Sequence, residues 1–177
     1  SYIAGPWQRH PLALLLLWRA LGAYALRIAH CRSLFGCVSL SPSFGSVTQR
    51  LLLRFLTRYH GDDGSRGRAQ ARHGIGRLLH GSAPEPADLR GLERWVRILE
   101  QGRLGVPPLV KHYTLLGGKV LAFNRDPDFN DTIDALLLLD LDQAPERLLK
   151  RYLLPEDLQR LKESRACPGA LLRQEAL

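Results

Sequence analysis

The side chains best suited to chemistry lie between residues 106 and 141. Asp126 and Asp128 flank Pro127 in an acidic turn between two apolar segments. Their carboxylates could bind a cationic ligand, or they could only accept backbone N–H groups in an Asx-type turn. His112 lies on a predicted helix, where it is either a candidate general base or an ordinary packed histidine. The sequence leaves both pairs of alternatives open.

Three predicted elements position these side chains. A helix over 108–116 begins at a proline and ends at Gly117-Gly118, which can supply the positive φ of a helix end. A strand over 119–124 precedes the acidic turn, and the apolar run 135–139 is typical of a strand buried on both faces. Asp134 comes just before that run, where it either faces a pocket or marks the start of the strand.

The rest of the chain alternates helical and extended patterns. The stretch at about 60–86 is rich in Gly, Arg and small polar residues, which predicts a flexible loop, and residues 164–177 are predicted to be a tail. We therefore expect one α/β module over 1–163, with a mixed sheet flanked by helices. The other predicted elements are a strand over 34–40 and helices over 12–29, 45–59, 87–101, 145–152 and 155–162. Helix 12–29 is apolar nearly all round, so most of it should be buried.

Composition narrows the function classes. The chain has 177 residues, a length that fits one globular domain. Its formal net charge of +8 indicates either an acidic partner or simply a soluble basic surface. Arg50, Arg54 and Arg58 share one face of helix 45–59, which is either solvated or in contact with an acidic carrier or lipid surface. Stacking aromatics are missing from the Arg-rich stretch, so no nucleic acid is expected as a partner.

The cysteines predict neither a disulfide framework nor a metal site. There are three, and Cys31 and Cys37 are six residues apart, which is not a usual zinc spacing. We therefore expect reduced thiols, no metal and a cytoplasmic location.

Two segments carry a resemblance to a known family. They are HCRSLFGCVSLS at 30–41, and LVKHYTLLGGKVLAFNRDPDF at 109–129 followed by LDLDQAPERLLKRY at 139–152. In this order and spacing they resemble the C-terminal half of hemolysin-like N-acyltransferases of the GNAT fold, which are relatives of the ornithine N-acyltransferases that make ornithine lipids. The resemblance covers roughly residues 1–155.

The resemblance implies a partial GNAT-like fold and an acyl-transfer reaction. A long-chain fatty acyl group would pass from an acyl-carrier-protein or acyl-CoA thioester to the amino group of an amino acid or amino lipid, without a tightly bound cofactor. The thioester would lie between two splayed parallel strands, of which 34–40 is one and the other would precede Ser1. The implied partners are an acidic acyl carrier protein, the inner membrane surface at the periphery, and an N-terminal half or second subunit.

The resemblance also implies binding residues and an alternative function. The loop before helix 12–29 would contact the phosphate or pantetheine, because helix N-termini favour anions, and two serines would line the thioester tunnel. These cofactor-binding candidates are Gly5, Gln8, Arg9, His10, Ser39 and Ser41. Phe44 stands where the family often has a tyrosine, and Ser33 where it has an aromatic residue. These departures leave enzymatic activity uncertain and favour, as the alternative, a catalytically degenerate module that binds acyl groups or a partner.

Overall fold

The computed structural model describes residues 5–7, 10, 12–64 and 69–166. This part of the chain divides into two compact units. One contains the segments before Phe35 and after Leu139, and the other is Phe35–Leu139. The secondary structure is mixed helix and strand, so the prediction of an α/β chain is confirmed.

The elements follow the predicted order closely. The helices are α1 (Ala13–Arg27), α2 (Ser46–His60), α3 (Leu89–Leu99), α4 (Pro108–Leu115), α5 (Glu146–Tyr152) and α6 (Pro155–Ala166). The strands are β1 (Ser33–Leu40), β2 (Lys119–Asp126) and β3 (Thr132–Asp140). Short 3-10 turns occupy Gly5–Trp7, Gly76–Leu79 and Pro127–Phe129. The predicted loop at 60–86 therefore contains one regular turn.

In the first unit, α1 packs against α5 and α6. The rings of Trp18 and Tyr152 lie 5.7 Å apart between centroids. The Arg27 guanidinium forms hydrogen-bonded ion pairs with Glu156 and with the fully buried carboxylate of Asp157. These contacts raise the pKa of Arg27, chiefly through the Asp157 hydrogen bond.

The prediction that most of α1 would be buried is wrong. Only Trp18, Gly22 and Ala25 are buried, whereas Leu16, Tyr24 and Ile28 are 59%, 57% and 67% exposed. The two helices that contact α1 within its unit cover one side of it, and only the residues on that side are removed from water. No helix among the described residues is long and apolar enough to cross a membrane.

The second unit is built on a three-stranded sheet in the order β1-β3-β2. Neighbouring strands run antiparallel, with Asn124 opposite Asp134 and a bulge in β2 between Val120 and Ala122. The described strands therefore do not form the predicted mixed sheet. Among the described residues, parallel pairing occurs only in an isolated bridge between Gly61, which follows α2, and Val120 of β2.

One face of the sheet carries the hydrophobic core of the second unit. Helix α2 contributes a run of leucines that are 0–1% exposed, and α3 and α4 add valines and a leucine to the same cluster. The apolar surface removed from water here is what stabilises the unit, at roughly 25 cal/mol per Å². The members from the sheet are Val38, Leu40, Val120, Ile133 and Leu137.

Candidate functional site

The opposite face of β1 is open to solvent. Successive side chains of a strand point to opposite faces, and β1 follows this rule: Val38 and Leu40 are buried, while Phe35, Cys37 and Ser39 are exposed. Phe35 is 78% exposed, which is unusual for so large an apolar side chain. Strand β1 also forms one edge of the sheet. Its outer edge has no strand partner among the described residues.

Ser39 and Asp134 form a hydrogen-bonded pair on this open face. The Ser39 hydroxyl donates to Asp134 Oδ1 at 2.6 Å, a length typical of a charge-assisted bond to a carboxylate. Asp134 lies inside β3, which begins at Thr132. It is therefore not the strand-entry residue that the sequence allowed. Strand β3 is the central strand of the sheet, so the pair joins it to the edge strand β1.

Cys37 lies two residues from Ser39 on the same face. Partial burial raises the pKa of its thiol, and the negative charge of Asp134 adds to the increase. The thiol is exposed and free. A raised pKa keeps it protonated at neutral pH, so it is a poor nucleophile.

The acidic turn is shaped by its own carboxylate. Asp126 Oδ1 accepts the backbone N–H groups of Asp128 at 3.0 Å and Phe129 at 3.2 Å. Asn130 and Asp131 follow with left-handed φ values of 55° and 54°, and Asp131 forms an ion pair with Arg125. The Asx-type alternative thus describes Asp126, and Asp128 remains an exposed carboxylate at the tip of the turn.

The other predicted site residues have local roles. Ser41 Oγ accepts the Ser43 N–H at 3.2 Å. His112 is half-buried on α4. In the first unit, Gly5 lies in an exposed 3-10 turn, and His10 Nδ1 accepts the Leu12 N–H at 3.3 Å. Gln8 and Arg9 lie outside the described residues, and so does the contact that they were predicted to make with a phosphate.

On the arginine face of α2, Arg50 and Arg54 are half-buried and bind a later loop, whereas Arg58 is exposed. Arg50 donates to the carbonyl oxygens of Leu78 at 3.2 Å and Ser82 at 3.0 Å. Arg54 donates to that of Leu79 at 3.2 Å. The two guanidinium groups therefore hold segment 78–82 against α2. This role was not predicted, because it depends on a loop that returns to the helix about 30 residues later.

A pocket of about 420 Å³ opens beside this contact. Its walls come from the C-terminal half of α2 and from residues 79–86. A second pocket of about 250 Å³ shares Phe55 and Tyr59 with the first. The described residues hold no group of three or more His, Cys, Asp or Glu side chains that could bind a metal ion.

Comparison with known proteins adds no relative. No protein-family model matches the chain, and the searches of curated proteins and of solved structures found no match either.

Proposed function

We propose that this chain is an N-acyltransferase, or part of one, of the GNAT type. It transfers a long-chain fatty acyl group from an acyl-carrier-protein or acyl-CoA thioester to an amino group of an amino acid or amino lipid. The single observation that carries the proposal is the Ser39–Asp134 pair, 2.6 Å apart on the open face of the sheet. Ser39 lies on the strand that the sequence resemblance places beside the thioester, and Asp134 lies on the neighbouring strand.

Amine acylation needs a proton acceptor, and Asp134 is suited to that role. The attacking amine must lose a proton to become or remain nucleophilic, and a carboxylate within hydrogen-bond reach can receive it. Ser39 holds the carboxylate in place through one oxygen, which leaves the second oxygen, Oδ2, for the substrate. Ser39 acts as a positioning residue in this scheme.

The edge of β1 supplies a place for the acyl donor. A strand at a sheet edge presents backbone N–H groups that no neighbouring strand uses, and such groups can donate to the thioester oxygen as negative charge develops on it. The amine nitrogen forms a bond to the carbonyl carbon, the carbon–sulfur bond breaks, and the thiolate leaves and takes up a proton. Phe35, exposed on the same face, offers an apolar contact to the acyl chain.

An acyl-binding module without catalysis is the second candidate. The observation that favours it is Phe44, which is only 5% exposed and belongs to the core cluster. Phe44 packs in the core, and its side chain has no hydroxyl group that could contact a substrate as a tyrosine would.

A thioester-consumption assay tests the proposal. Purified protein is incubated with palmitoyl-CoA and a panel of amino acids. Release of free thiol is measured by a colorimetric assay, and the N-acyl product is detected by mass spectrometry. We expect Asp134→Asn to lower the rate by about 10²–10⁴-fold, the usual contribution of a general base, and Ser39→Ala to lower it less. Asp131→Asn removes the same charge from the nearby turn, where it breaks only an exposed ion pair, and should leave the rate unchanged.

Three outcomes are distinguishable. Equal rates for Asp134→Asn and Asp131→Asn would exclude Asp134 as the base. Binding of a non-hydrolysable acyl-CoA analogue without turnover would favour the binding module. The absence of both binding and turnover would overturn the proposed function.

A further inference from the structure

We propose a second ligand site, in the pocket between α2 and segment 79–86, for a single-chain amphiphile with an anionic head group. This inference is independent of acyl transfer, because none of the residues around the pocket belongs to the sheet. Its volume of about 420 Å³ falls within the range of small-molecule sites. The proposal depends on how the walls are held, what they are made of, and where their charges lie.

The wall formed by segment 79–86 is fixed to the helix. Arg54, which lines the pocket, donates one of its N–H groups to the Leu79 carbonyl oxygen. One turn earlier on α2, Arg50 holds Leu78 and Ser82 in the same way. Pro84 and Pro86 stiffen the rest of the wall, because the proline ring fixes φ. The pocket is therefore formed before a ligand arrives, which lowers the entropy cost of binding.

Five of the nine lining residues are apolar or aromatic: Phe55, Tyr59, Leu79, Pro84 and Pro86. Phe55 is buried, and its ring centroid lies 5.0 Å from that of Tyr59. Leu79 and Pro86 line the pocket from segment 79–86. The second pocket, which shares these two rings, is also lined by Leu89 and Leu115. A mostly apolar lining of this kind suits an alkyl chain better than a sugar or a nucleotide, which need many polar partners.

Positive charge is placed along one wall. The Arg58 side chain is 63% exposed and pairs with Glu85, which is 62% exposed, at 3.0 Å. So exposed a pair contributes little to stability, and a ligand carboxylate or phosphate can take the place of Glu85. Arg54 offers further guanidinium N–H groups beside it, since a guanidinium has five donors and the Leu79 carbonyl engages one of its nitrogens. The polar end of the ligand is therefore an anion.

Binding of decanoate, decyl phosphate and decanol, measured by calorimetry on the full chain, tests this site. We expect both anions to bind, and backbone NMR shifts on addition of decanoate to cluster at 54–59 and 79–86. Tighter binding of decanoate would indicate a fatty acid as the ligand, and tighter binding of decyl phosphate would indicate a phosphate-bearing lipid. Decanol should bind more weakly than either.

Two variants and a control separate the head-group contact from general charge effects. Arg58→Gln should weaken decanoate binding roughly five-fold, the size of one exposed charge contact, and leave decanol unaffected. Glu85→Gln should strengthen decanoate binding, because it removes the competing carboxylate. Arg77→Gln makes the same charge change on an exposed side chain that does not line the pocket, and should alter nothing.

All three proteins should unfold at similar temperatures, because only exposed side chains are changed. Equal loss of affinity in the Arg58 and Arg77 variants would overturn the site, and so would absence of decanoate binding or NMR shifts confined to other segments.

Discussion

Replacing Arg50 by methionine tests whether the arginine face of α2 holds the 78–82 segment or is simply solvated. The substitution keeps most of the apolar stem of the side chain and removes both hydrogen bonds to carbonyl oxygens. The bond to Leu78 is partly buried and the bond to Ser82 is exposed. Hydrogen bonds to charged groups contribute about 1.5–3 kcal/mol when well shielded. With solvent exposure considered, we assign about 1 kcal/mol to the first and about 0.5 kcal/mol to the second.

We therefore expect Arg50→Met to lower the free energy of unfolding by about 1.5 kcal/mol, measured by urea denaturation. Because the segment can detach without global unfolding, hydrogen exchange should report the loss more directly, with faster amide exchange at 78–82. Arg58→Met is the matched control. Arg58 lies two turns further along the same face, and its only described ion pair is the exposed one with Glu85, so its loss should cost below about 0.5 kcal/mol.

Equal effects of the two substitutions on stability and on exchange would refute this interpretation. The arginine face would then be a solvated surface, and another contact would have to hold the segment.

Two further predictions concern stability. Glu93 accepts hydrogen bonds from Lys111 at 2.7 Å, the Val106 N–H at 3.2 Å and Arg97 at 3.1 Å. Burial alone would raise the pKa of its carboxyl group, but these donors outweigh burial and lower it. A lowered pKa in the folded state stabilises the protein above the ordinary pKa of a glutamate, and this stability is lost as the pH falls through the lowered value. Glu93→Gln should thus cost about 1 kcal/mol at pH 7 and progressively less in acid, as measured by urea denaturation across that range; a pH-independent difference would contradict this. Gly81→Ala should destabilise by about 1–2 kcal/mol, because φ there is +95° and an added Cβ would lie 3.1 Å from Arg50 Cζ. Gly74→Ala, at a position with open space and no positive φ, should change the thermal midpoint little, and equal effects of the two would argue against strain at Gly81.

Local patterns predicted the elements well, because their signals are contained in short windows. Gly117 has a φ of +81° at the end of α4, as the Gly-Gly pair indicated, and β3 contains the continuous apolar run. The predicted ends of most helices and strands differ from the observed ones by one or two residues. Hydrophobic periodicity and turn residues act over the same few residues that define an element.

Long-range arrangements could not be predicted. The Ser39–Asp134 pair joins residues 95 positions apart, and it depends on a strand register that neither segment encodes alone. The roles of Arg50 and Arg54 depend on a loop whose path has no periodic signal. The exposed side of α1 follows the same principle. An apolar sequence shows which side chains could be buried, but the neighbouring elements decide which of them are buried.

The position of Cys37 provides an attachment point for a spectroscopic probe. A small fluorophore coupled to this thiol would project from the same side of β1 as the Ser39–Asp134 pair, one pleat away. Because the raised pKa of the thiol slows its coupling at neutral pH, labelling should proceed faster in mildly alkaline buffer. Changes in emission would then follow the arrival of a molecule on the sheet without any need for turnover.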